Sequence, residues 1–302
     1  MKRFNGIALS VAFCSLASQA ALAQTKIDTL KVQNLNEVIV KGVRAAKEAP
    51  YAVANIRKSE LKQFSCSGQE LPFLLSRTPG ILAWSENGIG TGTTYMRIRG
   101  AAGSRINVTL DGVALNSPED QTVFWANMNS YSSLLGSIQV QRGVGSSTNG
   151  DGAFGGSISM ATAAPSLTPT AEVTGSFGSY NTYHTGASFS TGLLGKHLIF
   201  DGAYHETATD GYVDGTAGRS GSYYGGLTWL GDNFKISYKN IGNFEKTGQA
   251  WNGVLGGDYN SNFSLLQDGI RTYKDMYKAG LDKFNVLTGD MVRNDKGDYT
   301  IT

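Results

Sequence analysis

Three glycine-punctuated blocks follow one another between Tyr95 and Thr162: YMRIRG, then INVTLDG, then IQVQRGVGSSTNGDGAFGGSISMAT. Each short run is strand-like and closes on Arg-Gly or Asp-Gly, residue pairs that turn a chain sharply. The last block opens into a glycine-dense, nearly uncharged stretch and then returns to a strand. The chain has 39 glycines but only 6 prolines. Glycine in excess without proline favours tight turns and close backbone packing over a disordered linker.

The first residues set the compartment. Lys2 and Arg3 precede an apolar stretch from Ile7 to Ala17, and Ala21-Leu22-Ala23 supplies small residues at the −3 and −1 positions of a cleavage site. This pattern predicts a secretory signal peptide over residues 1–23 and a mature start at Gln24. The stretch is too short for a membrane anchor, which needs roughly 20 apolar residues. Phe13 before Cys14 is too bulky for a lipoprotein cleavage site. With Cys14 removed, Cys66 is the sole cysteine, so no intrachain disulfide forms and packing or a sheet must hold the fold. A formal net charge of +2 gives no case for nucleic acid. After residue 24 no apolar run is long enough for a transmembrane helix, so any membrane location must come from strands.

Leu35 to Gly42, LNEVIVKG, reads as an extended segment, with Val38, Ile39 and Val40 favouring β structure. Two short helices are predicted next. Ser59 caps the first, Glu60 to Phe64; Ser67-Gly68-Gln69-Glu70 forms a capping box for the second, which carries Leu71, Phe73, Leu74 and Leu75 and stops at Pro79-Gly80. Arginine alternates with apolar residues in Met96-Arg97-Ile98-Arg99-Gly100, and Arg142 repeats the arrangement before Gly143. Between them Ile106 to Leu110 alternates, Asp111-Gly112 supplies a hairpin turn and Val113-Ala114-Leu115 returns.

The order of these blocks resembles the plug domain of TonB-dependent outer-membrane receptors, which sits inside a large β-barrel. The resemblance is specific over residues 35–165 and looser beyond 170. It implies that Glu37, Val38, Ile39 and Val40 are a TonB box, a mobile strand that pairs with the edge of a TonB-type energy transducer by β-augmentation. The plain alternative is the first strand of the plug sheet. It also implies that Arg99 and Arg142 reach carboxylates on the barrel wall, expected downstream of this chain, through bidentate bonds that fix orientation yet break under a pull. Gly100, Asp111, Gly112, Gly143, Gly155 and Gly156 match the family's glycine motifs.

Gly150 to Gly155 also fits G-x-G-x-x-G. A dinucleotide site needs that turn to open a helix whose amino terminus meets the pyrophosphate. Here Ser157 to Ala161 reads as a strand, and no lysine follows to make a P-loop. Close backbone packing against a barrel wall is the better account of these glycines.

From Ala171 the pattern becomes amphipathic and barrel-like. Tyr183, Thr185, Ala187 and Phe189 alternate with His184, Gly186, Ser188 and Ser190; Leu198, Phe200, Gly202 and Tyr204 alternate with Ile199, Asp201, Ala203 and His205. Tyr223, Gly225, Leu227 and Trp229 form a third row, and Phe234, Ile236 and Tyr238 oppose Lys235, Ser237 and Lys239. Five strands are predicted: 171–178, 182–191, 197–206, 222–230 and 234–241, with a long glycine-rich loop over 207–221. Short turns on one side and mostly longer connections on the other are the asymmetry of outer-membrane barrels. Gly242 to Thr302 reads as a large extracellular loop with a helical run from Arg271 to Leu281 and aromatic residues Trp251, Tyr259, Phe263, Tyr273 and Tyr277.

The expected fold is therefore an α+β plug domain, a small mixed sheet with short helices, followed by an incomplete antiparallel transmembrane β-barrel. Its parts are a signal peptide (1–23), a periplasmic leader with the TonB box (24–42), the plug (43–165), and first barrel strands with a long loop (170–302). Plugged transporters have about 22 strands, so five imply an amino-terminal fragment. No G-x-S-x-G, H-E-x-x-H or CxxC occurs, and His184, His197 and His205 lack metal-ligand spacing, so neither catalysis nor a cofactor is expected. The expected function is TonB-dependent uptake of a scarce ligand (an iron-siderophore, haem or cobalamin) across the cell outer membrane, with membrane lipid, the transducer and a small metal chelate as partners and nucleic acid not among them. The alternative is a secreted soluble β-rich binding or adhesion module.

Overall fold

The computed structural model describes residues 44–45, 52–144, 153–250, 270–285 and 287. The signal peptide, the TonB-box residues Glu37 to Val40, residues 150–152 of the glycine stretch, and Trp251, Tyr259 and Phe263 lie outside the described residues.

The plug is built on a five-stranded sheet in the order β1-β6-β7-β4-β5, from Ala52–Arg57, Leu135–Arg142, Gly156–Thr162, Ile106–Leu110 and Val113–Ala114. Only β4 and β7 run parallel; the other neighbours are antiparallel. Every residue of the central strand β7 is buried, as a strand covered on both faces requires. A separate hairpin joins β2 (Ile81–Ser85) to β3 (Thr94–Ile98), with Trp84 stacked on Tyr95 at 5.4 Å. The core gathers Leu61 and Phe64, Leu71 and Leu75, Ile98, Ile106, Ile138, Val140, Ile158 and Met160.

Two short helices supply part of that core. Helix α1 spans Lys58–Ser65, longer than expected, and its amino terminus is satisfied by the Glu60 carboxylate accepting from the Arg57 N–H at 2.9 Å. Ser59 therefore lies inside the helix and does not cap it. Helix α2, Leu71–Leu75, has no side-chain cap. The capping box expected at Ser67–Glu70 does not form, because the Glu70 N–H donates to the Gly90 carbonyl at 2.8 Å and Ser67 Oγ accepts from Gln69 instead.

The Asp-Gly hairpin forms as expected. Asp111 (φ +50°) and Gly112 (φ +87°) both take left-handed backbone, the geometry of a two-residue turn with the right twist. Gly155 and Gly156 correct the expected packing against a wall. A β-carbon on Gly155 would stand 2.4 Å from Ala101 Cβ, and one on Gly156 would stand 2.5 Å from the Gln141 carbonyl oxygen. Both crowd the plug's own neighbouring segments, because β7 is flanked on each side by plug strands.

Five strands in sequential antiparallel order form a second sheet, the wall: β8 (Thr170–Phe177), β9 (Tyr183–Ser190), β10 (Leu198–Thr209), β11 (Gly218–Leu230) and β12 (Lys235–Thr247). The last three are longer than predicted, so the glycine-rich loop shrinks to residues 210–217. Cross-strand bonding continues through small residues such as Ser220 and Gly221, which pattern alone read as loop. The period-two alternation holds. Tyr183, Phe189, Phe200, Tyr204, Tyr223, Trp229, Ile236 and Tyr238 are exposed on one face, while Ile199, His184 and His205 are buried on the other. Ala203, Tyr224 and Ile241 of that inner face pack onto the plug core. Among the described residues the outer edges of β8 and β12 pair with no strand.

Helix α3 is confined to Tyr273–Lys278, capped by Thr272 and ended before Gly280 in left-handed backbone (φ +69°), so the expected run from Arg271 to Leu281 is shorter than its pattern. No helix among the described residues is long and apolar enough to cross a membrane.

The two faces predict unequal costs for similar truncations. Ile138→Ala, in a site with no solvent exposure, is expected to destabilise the plug by about 2–5 kcal/mol. Ile236→Ala, exposed on the outer wall face, is expected to cost less than about 1 kcal/mol in detergent. Denaturant unfolding of the two variants checks the contrast.

Candidate functional site

The seam between plug and wall is where the two sheets meet, and one ionic contact crosses it at the Asp-Gly hairpin. The turn aims the Asp111 carboxylate at the end of β7, where it accepts from the Thr162 N–H at 2.9 Å and the Thr162 hydroxyl at 2.8 Å. Lys239 of β12 reaches in from the wall and donates to the same carboxylate at 2.8 Å. Its ammonium also donates to Thr162 Oγ1. Both ionic side chains are about one-quarter exposed (25% and 24%), so solvent screens them only in part. Burial alone would raise the Asp111 pKa; the bonds from Lys239 and Thr162 outweigh it and hold the carboxyl below its ordinary value. The arrangement is a latch: Asp111 and Thr162, both of the plug, together hold the Lys239 ammonium of β12.

The two arginines singled out in the sequence come together elsewhere. Arg142 Nη1 donates to the Pro79 carbonyl at 2.6 Å, and the Arg99 N–H donates to the Gly80 carbonyl at 2.7 Å. The Arg99 guanidinium passes over Gly143, where a β-carbon would lie 3.2 Å from Nη1. Gly100 and Gly143 take left-handed backbone, and Gly143 bonds through its N–H to the Gly155 carbonyl at 2.9 Å. Arg99 and Arg142 thus form one basic cluster around the Pro79-Gly80 bend. Among the described residues neither pairs with a carboxylate.

At the far end of the plug the β2–β3 loop meets the wall's connections. The Asn87 carbonyl accepts from the Tyr212 and Val213 N–H groups at 2.9 and 3.3 Å, and Tyr212 packs over Gly88. Glu86 accepts from the Ala250 N–H at 3.2 Å and from the Tyr95 hydroxyl at 2.6 Å. Burial, then the bond to Glu86, pushes the Tyr95 hydroxyl up to about 12. The segment 270–285 docks on top: Asn285 Nδ2 donates to the Asp214 and Gln249 carbonyls, and the Lys283 ammonium lies 5.6 Å from both the Tyr180 and Tyr212 rings. Sequence reasoning missed this junction because most of its bonds run to backbone carbonyls, which leave no side-chain signature.

A buried acid completes the seam. Glu70, 3% exposed, is held well above the usual carboxylate range by burial first and then by the charge of Glu245 on β12.

Two pH responses of opposite sign follow. Asp111 has its folded pKa lowered, so the latch contributes in full above about pH 4 and is lost as pH falls further. Lys239→Met is expected to remove about 1–3 kcal/mol from the seam at neutral pH and to flatten that acid limb. Glu70 has its folded pKa raised, so its contribution is full below about pH 4 and is lost as pH rises through the folded value. Glu70→Gln is therefore expected to stabilise the protein at pH 8 and leave it unchanged at pH 4. Melting temperatures across that range check both signs.

Residues 45–157 match the family model described as the TonB-dependent Receptor Plug Domain. No curated protein matches the chain by sequence. Among solved structures, P. aeruginosa FpvA bound to heterologous pyoverdines aligns with TM-score 0.56 at 17% identity, over 71% of this chain and 28% of that one. The ferric yersiniabactin uptake receptor FyuA from Yersinia pestis aligns with TM-score 0.52 at 17% identity, over 67% and 33%. The copper transporter OprC aligns with TM-score 0.53 at 14% identity, over 68% and 33%. The chain thus spans about a third of the length of these proteins. These likenesses show the fold: a mixed-sheet plug with short helices, then an antiparallel wall that does not close among the described residues. They belong to receptors and transporters, not enzymes. Residues 45–157 of the chain thus carry a plug domain of the kind found in TonB-dependent receptors.

Proposed function

We propose that this protein takes part in energised uptake of a scarce, metal-bearing small ligand across the cell outer membrane, its plug filling a barrel of which β8 to β12 are the first wall. The observation that carries this reading is the two-faced wall. Its outer face exposes Phe189, Phe200, Tyr223, Trp229 and Ile236, and its inner face packs on the plug. An apolar band with aromatic residues suits membrane lipid. The unpaired edges of β8 and β12 would cost several kcal/mol per unsatisfied backbone group in lipid, so further strands are expected to complete the wall. A soluble binding module has no use for such a band. Recovery of the complete receptor in the soluble fraction, not the membrane pellet, would reverse the choice.

A TonB-type transducer is proposed to grip Glu37, Val38, Ile39 and Val40 as an added strand and pull. Arg99 and Arg142, clustered at one bend, are proposed to anchor the plug to carboxylates on further strands, and the Asp111–Lys239 latch to break as the plug shifts. FpvA and FyuA, by their descriptions, handle pyoverdine and ferric yersiniabactin, and OprC handles copper; these favour an iron-siderophore, with haem or cobalamin as further metal chelates. Co-purification with a bound oligosaccharide would displace that ligand class.

Val38→Pro removes a backbone donor that strand pairing needs. It is expected to abolish energised uptake while leaving ligand binding to whole cells intact. Uptake at the parental rate would dismiss the TonB-box assignment.

A further inference from the structure

His184 on β9 and His205 on β10 both face the plug, and they lie in adjacent rungs of the wall. His205 is in register with Gly186 on one side and Ser222 on the other; His184 is in register with Thr207. The His205 ring lies across Gly186: a β-carbon there would stand 2.0 Å from His205 Nδ1 and 2.8 Å from Thr174 Oγ1. Glycine at 186 is what lets the imidazole cross β9 toward β8. The His184 ring stacks on it, with centroids 5.7 Å apart and planes 11° from parallel.

The pair is buried, at 2% and 4% exposure, yet three of its four ring nitrogens have no hydrogen-bond partner: His184 Nε2, His205 Nδ1 and His205 Nε2. The fourth, His184 Nδ1, lies 2.9 Å from Thr207 Oγ1. With Nδ1 donating to that hydroxyl, His184 keeps its lone pair on Nε2. A buried polar group without a partner costs about 1–3 kcal/mol, so three on touching rings are hard to explain as packing. Beside His205 lies a cavity of about 450 Å³, also lined by Thr174, Glu172, Asp201 and Lys62. Asp201 Oδ2 and Thr174 Oγ1 are likewise unpartnered. The cavity gives a path to His205, and of its two carboxylates Glu172 pairs with Lys62 at 2.7 Å while Asp201 keeps an oxygen without a partner.

We propose that His184 and His205 form a binding site for a divalent transition-metal ion in the seam between plug and wall. Lone pairs on neutral imidazole suit Cu²⁺, Zn²⁺ and Ni²⁺, whereas Ca²⁺ and Mg²⁺ prefer oxygen. Among the described residues no three His, Cys, Asp or Glu side chains form a ready-made ligand cluster. The site therefore supplies two nitrogens and leaves the remaining positions to water, an open coordination that exchanges its ion and does not hold it as a structural element. The proposal concerns binding alone, so it stands or falls independently of the uptake reading.

Titrating the detergent-solubilised protein with Cu²⁺ and recording frozen-solution EPR tests it. One copper per chain with nitrogen hyperfine structure from two imidazoles is the expected result. His205→Gln is expected to weaken binding by at least about tenfold and to simplify the nitrogen pattern. His197→Gln should change neither, because His197 stacks on Trp229 and bonds to the Leu230 carbonyl on another part of the wall. His184→Gln is a second variant with the same expected loss, and a melting temperature like the parent's certifies the fold of whichever variant is scored. A parent without nitrogen-coordinated copper, or a folded His205→Gln that binds as the parent does, would overturn the site.

Discussion

Each strand of the wall has one face for the plug and one turned away from it, and that period-two constraint governs the molecule. Inward residues must fit a finished domain: Ala203, Tyr224 and Ile241 meet its apolar core, while His184, Ser222 and Thr228 are buried beside it. Outward residues turn away from the plug, and many of them are aromatic or aliphatic. A sheet with such an outer face favours an apolar surrounding, and among the described residues its two edges are unpaired. The inner face of the wall is therefore shaped by the plug it packs on.

The plug and the wall are held to each other differently from the way the plug is held together. Inside the plug, Leu61, Ile98, Ile138 and Val140 are wholly buried and non-directional in their attraction. Across the seam, part of the contact is polar and specific: Lys239 with Asp111 and Thr162, and the Asn87 carbonyl with Tyr212 and Val213. Directional bonds lose their strength within a short displacement, whereas apolar contact tolerates sliding. The histidine pair runs counter to this economy, since three of its four ring nitrogens lack partners, and such exceptions concentrate where function resides.

Much of this was legible in advance, and the reasons are local. Alternation placed Tyr183, Phe189, Phe200 and Trp229 on one face, and Asp111-Gly112 announced its hairpin, because each rests on backbone geometry within a few residues. Helix ends were misread where a distant partner intervened. Ser67 lost its capping role because Gly90, twenty-three residues away, takes the Glu70 N–H. Strands β10 to β12 ran past their expected ends because pairing extends through serine and glycine once a neighbouring strand is in register. β1 went unread altogether: Ala52 to Arg57 has weak strand character and forms only because β6 pairs with it residue by residue.

From the order of its residues alone, the chain determined the hairpin at Asp111 and the division of each wall strand into two faces, since both follow from backbone sterics and period. Which charges and rings meet was decided only by tertiary structure. Lys239 lies 128 positions from Asp111, His205 lies 21 from His184, and Arg99 and Arg142 converge on one bend. No spacing rule spans such separations, because the register between strands and the seating of one sheet on another are set by packing summed over the whole molecule.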